Sequence, residues 1–107
     1  MKSEMSELSR RMVEVDRMIH EPARMMIVTI LAHVESADFL YLQRETGLSK
    51  GNLSSHLAKL EAAGYIQIEK TYRGKIPLTL CYLTEAGHAA FETYRKQINQ
   101  WIHKAEK

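Results

Sequence analysis

Apolar residues recur at intervals of three and four over most of the chain, which is the spacing of one face of a helix. The first such segment, residues 3–20, follows a heptad-like pattern and predicts a helix that pairs with another helix. Its apolar positions are Met5, Leu8, Met12, Val15 and Ile19. Pro22 then starts a second helix over residues 22–34, because proline is tolerated in a first helical turn. This helix is apolar on nearly all sides, so we expect it at the centre of the core.

Two helices joined by a short turn are predicted next. Ser36 or Asp38 is suited to cap a short helix, and Gly47 is suited to end it. After a four-residue turn, Ser49 is placed to cap the following helix, which ends at Gly64. The apolar positions of this helix that face the core are Leu53, Leu57 and Leu60.

The apolar spacing changes from helical to alternating after Gly64, and two alternating runs around a glycine turn predict an antiparallel hairpin. The alternating residues are Ile66, Ile68, Ile76, Leu78, Leu80 and Tyr82. Pro77 removes one hydrogen-bond donor from the hairpin, so we expect an edge position or a bulge near its tip. Thr84 is placed to cap a long last helix that reaches about Ala105. The apolar stripe of this helix consists of Ala90, Phe91, Tyr94, Ile98, Trp101, Ile102 and Ala105.

The order of these elements is that of a winged helix-turn-helix, in which the second helix of the turn unit enters the DNA major groove. We therefore expect a mainly α fold with a small β-hairpin wing, of the α+β class, and long terminal helices. Residues 1–20 are expected to form an N-terminal dimerisation helix, residues 21–83 the DNA-binding core, and residues 84–107 a C-terminal helix that also serves dimerisation.

The helix that follows Ser49 has an outer face of small or polar residues only. These residues are Lys50, Gly51, Asn52, Ser54, Ser55, Ala58 and Lys59. Asparagine pairs with adenine edges, serine bonds to bases or phosphates, and lysine attracts phosphates. A glycine inside a first turn costs about 1 kcal/mol relative to alanine, and close approach to a DNA backbone is a sufficient reason to keep it. The alternative is an ordinary solvated face. His56 lies at the boundary of the buried face, which favours packing or a bond to the neighbouring helix over base reading.

Charge supports an anionic partner for the middle of the chain. The formal net charge is only +2, but residues 44–75 carry six basic and three acidic side chains. Two of these cations, Arg73 and Lys75, lie at the predicted hairpin tip beside Tyr72. A basic tip on a wing favours contact with phosphates or the DNA minor groove, although such residues are often plain surface charges.

Several classes of function are not expected. The single cysteine, Cys81, cannot form an internal disulfide, which fits a cytoplasmic protein. The longest apolar runs are too short to cross a membrane, and no signal-peptide pattern begins the sequence. No two histidines are spaced four apart and no thiolate cluster exists, so neither a metal nor another cofactor is expected. The sequence has no nucleophile elbow, phosphate loop or convincing carboxylate pair, and an enzyme is not predicted.

The sequence resembles the small winged-helix transcriptional regulators of bacteria and archaea related to the MarR and ArsR groups. The resemblance covers residues 22–94 and rests on the run L-x-x-x-T-G-L-S-x-G-N-L-S-x-H-L-x-K-L-E-x-A-G-Y-I, followed by G-K-x-P and L-T-x-x-G-x-x-A-F. It implies a homodimer that binds specific double-stranded DNA, with Arg73 in the wing. It also implies recognition-helix positions for Ser49, Lys50, Asn52, Ser54, Ser55 and Lys59. Related regulators often respond to small molecules at the dimer cleft, but the sequence identifies no effector.

The terminal helices are the expected dimer elements, because their apolar surface exceeds what one small core covers. The residues assigned to the dimer contact are Met5, Leu8, Met12, Val15, Ile19, Tyr94, Ile98, Trp101 and Ile102. The alternative is that these helices pack on each other within one chain, and both arrangements can hold in part. The favoured hypothesis is a repressor that occupies a pseudo-palindromic operator and competes with polymerase. The alternative function is a winged-helix module for protein–protein interaction within a larger assembly.

Overall fold

The computed structural model describes residues 6, 7, 9, 10 and 14–105. Its elements, in chain order, are α1 (Pro22–Leu31), β1 (Ala37–Asp38), α2 (Phe39–Thr46), α3 (Lys50–Ala62), β2 (Ile66–Arg73), β3 (Ile76–Leu83) and α4 (Glu85–Ala105). From α1 onward the helices and the hairpin follow the predicted order, and β1 is an element that the sequence did not predict. The α+β winged-helix fold is therefore confirmed. Within the described ranges, no helix has the length and apolar character needed to cross a membrane.

The segment before α1 differs from the prediction. Residues 14–21 form turns and bends, so a helix that continues to position 20 is wrong for this stretch. Asp16 explains the difference, because its Oδ1 accepts the backbone N–H groups of Met18 at 2.8 Å and Ile19 at 3.4 Å. A side chain that bonds to its own following backbone favours a turn over a helix. The predicted seam positions Met5, Leu8 and Met12 lie outside the described residues.

Side chains cap the helices of the core. Glu21 caps α1, since its Oε1 accepts the N–H of Arg24 at 2.7 Å, and Pro22 takes a place in the first turn where its missing donor is harmless. Asp38 caps α2, since its Oδ1 accepts the N–H of Tyr41 at 2.8 Å. Helix α1 ends at Leu31, three residues before the predicted end.

The hairpin is part of a three-stranded antiparallel sheet of order β1-β3-β2. Strand β1 pairs with Leu80 and Cys81 only, and its two residues are too few to show alternation in the sequence. The β2–β3 register runs without a bulge from Ile66↔Leu83 to Arg73↔Ile76. Pro77 faces Tyr72 in β2 and lies beyond the reach of β1, so the predicted edge position is confirmed and the predicted alternative of a bulge is excluded.

The core lies between α1, the helix-turn-helix and the sheet. Its buried residues are Ile27, Val28, Leu31, Ala37, Leu42, Leu53, Leu57, Leu60, Ile66, Cys81 and Leu83. A second, smaller buried cluster consists of Val15, Ile19 and Tyr94 and joins the N-terminal segment to α4. Helix α3 therefore rests on the main core, with its opposite side free to face outward.

Candidate nucleic-acid interface

Helix α3 begins at a turn that its own residues hold in place. Gly47 ends α2 with the left-handed backbone (φ 72°) that glycine adopts without strain. Ser49 then caps α3, because its Oγ accepts the backbone N–H of Asn52 at 3.1 Å. The first N–H groups of an α-helix have no partner inside it, and Lys50 and Gly51 are exposed. The start of α3 therefore presents partial positive charge to solvent, where an anion is favoured.

Three buried leucines fix which side of α3 faces outward. Leu53, Leu57 and Leu60 are at most 2% exposed. Every residue that the sequence assigned to the outer face is exposed, namely Lys50, Gly51, Asn52, Ser54, Ser55, Ala58 and Lys59. No hydrogen bond or ion pair joins the polar side chains of this set to other parts of the described chain. We call these seven residues the outer face of α3; their functional groups are free for a partner.

Neither packing nor backbone conformation within the chain requires a glycine at position 51. A Cβ atom added at this position has no heavy atom of the protein within 4 Å, and the backbone does not have positive φ. The residue therefore weakens α3 by about 1 kcal/mol without a packing benefit inside the chain. The benefit that a glycine offers here is that another molecule can come close to the backbone of α3.

The wing ends in a two-residue loop of Gly74 and Lys75, closed by the pair Arg73↔Ile76. Gly74 has φ 63°, and no non-glycine residue in the described ranges has positive φ, so Lys75 keeps ordinary backbone. A glycine first in a two-residue loop matches the right-handed twist of the two strands. The loop exposes Arg73 and Lys75, and Tyr72 beside them is 69% exposed.

A groove of about 950 Å³ separates α2 and α3 from the wing. Of the predicted site residues, Lys50 and Ser54 line it from α3, and Arg73 lines it from β2. The charged residues of the lining are Asp38, Arg44, Lys50, Glu61, Lys70 and Arg73. Four cations against two carboxylates give this concave surface a positive balance, which attracts a polyanion.

The groove lining includes residues that the sequence did not assign to the site. Arg44 and Lys70 belong to the basic middle of the chain, and Leu40 is exposed on α2. These residues line the groove because of how α2 and the hairpin are placed relative to each other, and the spacing of apolar residues in the sequence does not predict that placement. The remaining predicted residues are outside the groove lining; they are Ser49, Gly51, Asn52, Ser55, Lys59, Tyr72 and Lys75.

His56 faces the inside of the protein, as its position at the edge of the buried face indicated. It is half-buried, and its Nδ1 lies 3.1 Å from a guanidinium nitrogen of Arg24 in α1. The interpretation as a contact with the neighbouring helix is therefore confirmed.

The residues assigned to a dimer contact separate into two groups. Val15, Ile19 and Tyr94 are buried against one another within one chain, which is the alternative that the sequence left open. Ile98 and Trp101 are half-buried, and Ile102 is 55% exposed. Among the described residues assigned to a dimer contact, those that remain available to a partner thus lie at the far end of α4.

Two long-range hydrogen bonds hold the N-terminal segment against the rest of the chain. The Tyr65 hydroxyl donates to Oδ2 of Asp16, and the Tyr94 hydroxyl bonds to Nδ1 of His20 at 2.8 Å. The bond to Asp16, followed by burial and by the carboxylate charge, raises the pKa of Tyr65 to about 12. Burial also raises the pKa of Tyr94. We call these two pairs the rear clasp.

Cys81 is buried in β3, and burial, followed by the charges of Glu61 and Asp38, raises the pKa of its thiol to about 11. The thiol is therefore uncharged near neutral pH and poorly suited to bind a metal or to react. Within the ranges that the structure describes, no group of three or more histidine, cysteine or acidic side chains is arranged to hold a metal ion.

Comparisons with known proteins identify the domain family to which this fold belongs. Residues 23–102 match the family model of the winged helix DNA-binding domain. An uncharacterized protein of Methanocaldococcus jannaschii is 32% identical over 85 residues, which cover 78% of this chain and 91% of that relative.

Two solved structures have the same fold over nearly the whole chain. A transcriptional regulator homologue from Pyrococcus horikoshii OT3 is 25% identical with a TM-score of 0.85, over 96% of this chain and 100% of that chain. A MarR-family transcriptional regulator from Enterococcus faecalis V583 is 15% identical with a TM-score of 0.76, over 99% of this chain and 96% of that chain. At such an identity the second likeness concerns the fold alone.

Proposed function

This chain belongs to the family of winged helix DNA-binding domains, and from that premise we propose that it is a homodimeric repressor that recognises a pseudo-palindromic operator. The family and the fold are those of transcriptional regulators rather than enzymes. The observation that carries the proposal is the outer face of α3, whose polar side chains are exposed and have no partner within the described chain. Repression follows when the bound dimer excludes polymerase from an overlapping promoter.

In the proposed complex α3 lies in the major groove. Asn52 pairs with an adenine edge, and Ser54 and Ser55 bond to bases or phosphates. Lys50 and Lys59 contact phosphates together with the positive start of α3. The support for these roles is that all five side chains are exposed on the side of α3 opposite its buried leucines.

The wing lies beside the adjacent minor groove in this arrangement. Arg73, Lys75 and Tyr72 are its contact residues, and the strand that separates the two DNA grooves passes through the basic groove between α3 and β2. The support is geometric, because Lys50 of α3 and Arg73 of the wing line the same groove from opposite sides.

A dimer is proposed because one recognition helix reads only a short half-site. Two-fold pairing through α4 brings a second α3 to the next turn of the duplex, about 34 Å away. The supporting observation is the apolar end of α4, where Ile98 and Trp101 pack against the cluster around Tyr94 but are only half-buried, and Ile102 is 55% exposed.

The test is the affinity for duplex DNA across a salt series, with a fragment chosen by selection from random-sequence DNA. Replacing Arg73 by alanine is expected to weaken binding to every sequence and to lower the salt slope by about one unit, since one phosphate contact is lost. Lys104→Ala is the charge-matched control, because Lys104 is exposed near the end of α4. Equal slopes for wild type and Arg73→Ala, or an equal loss in the control, would contradict the proposal and favour a protein-interaction module.

A second variant separates specificity from affinity. Asn52→Ala is expected to reduce discrimination between the selected duplex and a scrambled one by about 1–3 kcal/mol, because one base contact is lost. Asn99→Ala is the control, since Asn99 is an exposed asparagine of α4. Unchanged discrimination in Asn52→Ala would remove Asn52 from the site.

A further inference from the structure

A half-buried polar contact joins the inward-facing side of α3 to α1. His56 of α3 has 19% of its side chain exposed, and its Nδ1 lies 3.1 Å from Nη1 of Arg24. The same guanidinium donates from Nε to the carbonyl oxygen of Met18 at 2.7 Å. Arg24 therefore connects the back of the helix assigned to DNA with the segment that precedes α1.

This contact specifies one protonation state of His56. A guanidinium group only donates hydrogen bonds, so Nδ1 of His56 must accept, and the imidazole must be neutral with its proton on Nε2. If Nδ1 carried a proton, two hydrogen-bond donors and two positive charges, those of His56 and Arg24, would face each other. Histidine side chains generally gain this proton between pH 8 and 5.

A carboxylate stands beside the same nitrogen. Oε1 of Glu21 lies 3.9 Å from Nδ1 of His56 and also accepts the backbone N–H of Arg24. Burial acts to raise the pKa of Glu21, but that hydrogen bond, the charge that His56 carries when it is protonated and the charge of Arg24 outweigh it and hold the pKa below its usual value. Glu21 is therefore ionised near neutral pH and attracts a protonated His56.

The charged groups that contact the His56 imidazole within the described part of the chain lie at the start of α1. Arg24 and Glu21 face it from the start of α1. On α3 itself, Lys59 lies three residues on and Asn52 four residues back, and both are exposed. No other charged group of the described ranges forms an ion pair with the imidazole.

We propose that Arg24 and His56 are positioning residues that hold α3 in the orientation that reads DNA, and that protonation of His56 transfers it from Arg24 to Glu21 and releases this support. The inference rests on the proposed function of α3. Base contacts require side chains held within a fraction of an ångström, whereas attraction to phosphates tolerates movement. A shift of α3 therefore lowers discrimination between sequences, while the added positive charge leaves non-specific attraction undiminished.

The test is the ratio of affinities for the selected and the scrambled duplex between pH 7.5 and 5.5. In wild type this ratio is expected to fall by about fivefold or more, the usual scale of coupling between two sites. His56→Asn should keep the ratio high and constant, because the asparagine carbonyl oxygen lies where Nδ1 lies and accepts from Arg24 at any pH. His56→Leu, which has no acceptor, should show a low ratio throughout, and the exposed His88→Gln should behave as wild type.

Two further readouts keep the inference falsifiable. Unfolding midpoints at both pH values identify variants that are folded, and the nitrogen chemical shifts of His56 report directly whether Nδ1 is the acceptor at neutral pH. A wild-type ratio that is high and independent of pH, an unchanged pH dependence in His56→Asn, or a protonated Nδ1 at pH 7.5 would overturn the inference alone. A wild-type ratio near one at every pH would overturn the proposed function as well.

Discussion

The outer face of α3 and the rear clasp use similar polar side chains in opposite ways. Asn52, Ser54 and Ser55 on the outer face have no bond to other side chains or carbonyls of the described chain, and their helix is held by leucines on the other side. In the rear clasp, Tyr65 and Tyr94 each bond to a side chain of the N-terminal segment, 49 and 74 residues away in sequence.

The difference separates residues that hold the chain together from residues that are free for another molecule. A hydrogen bond inside the protein stabilises the fold, and its loss is measured in unfolding. An exposed and unbonded side chain contributes little to the fold, and its loss is measured in binding. Substitutions of residues that hold the chain together and of residues that face a partner should therefore change different quantities. Four substitutions of these two kinds, two of them in α4, test this from the largest expected effect to the smallest.

The largest effect is expected at Gly87, where α4 crosses behind the hairpin. A Cβ atom at this position would lie 2.0 Å from the backbone oxygen of Tyr65, which also accepts the N–H of Thr84 at 3.0 Å. Because backbone rather than a flexible side chain is in the way, Gly87→Ala should lower the free energy of unfolding by more than about 2 kcal/mol. Urea unfolding measures this loss, and wild-type stability would show that the two segments separate easily.

The next effect concerns the clasp itself. Tyr65→Phe removes the bond to Asp16 and should cost about 1–2 kcal/mol of stability. The pKa of Tyr65 is raised from 10.0 to about 12, so the stabilisation is complete below pH 10 and is lost as the pH rises through 12. The difference in unfolding free energy between wild type and Tyr65→Phe should accordingly shrink over this window. The exposed Tyr72→Phe serves as control, and a constant difference up to pH 12 would contradict the assignment.

A smaller effect is expected at the apolar end of α4. Ile102 is 55% exposed, and Ile102→Glu should raise the dissociation constant of the dimer about tenfold or more, because a charge enters an apolar contact. Sedimentation velocity over a dilution series measures the change. Lys104→Glu places the same charge about 200° around the helix and should have little effect. A tight dimer in Ile102→Glu would place the partner contact elsewhere.

The smallest effect is expected at Gly51, where one substitution should raise the stability of the fold and lower the affinity for duplex DNA. Gly51→Ala meets no atom within 4 Å and should raise the free energy of unfolding by about 0.5–1 kcal/mol. The added methyl group lies on the face assigned to DNA, so the affinity for duplex should fall while stability rises. A variant that gains stability and keeps full affinity would show that close approach at this position is not needed.

The two regions also differ in how far the sequence predicts them. The outer face of α3 depends on neighbours within one turn, so the spacing of its leucines, the cap at Ser49 and the glycine at position 47 were sufficient to place it. The sequence likewise assigns Lys50 and Arg73 to the site, although it gives no indication that both line one groove.

The rear clasp depends on chain segments that meet only after folding. Val15 and Ile19 are buried at a spacing that also fits a helix, but Asp16 between them holds a turn instead. The pairing of Asp16 with Tyr65 leaves no trace in local periodicity, and the two-residue strand β1 is too short for any alternation. The bond between Arg24 and His56 was anticipated only as a contact with some neighbouring helix.

Selection of bound fragments from random-sequence duplex DNA by the purified protein is the most direct measurement of whether α3 reads bases as one of a symmetric pair. We predict enrichment of an inverted repeat whose half-site centres are about 10 base pairs, or a multiple of that distance, apart. A pool that stays random after repeated rounds would contradict base reading by α3, and an enriched site without two-fold symmetry would contradict the paired arrangement.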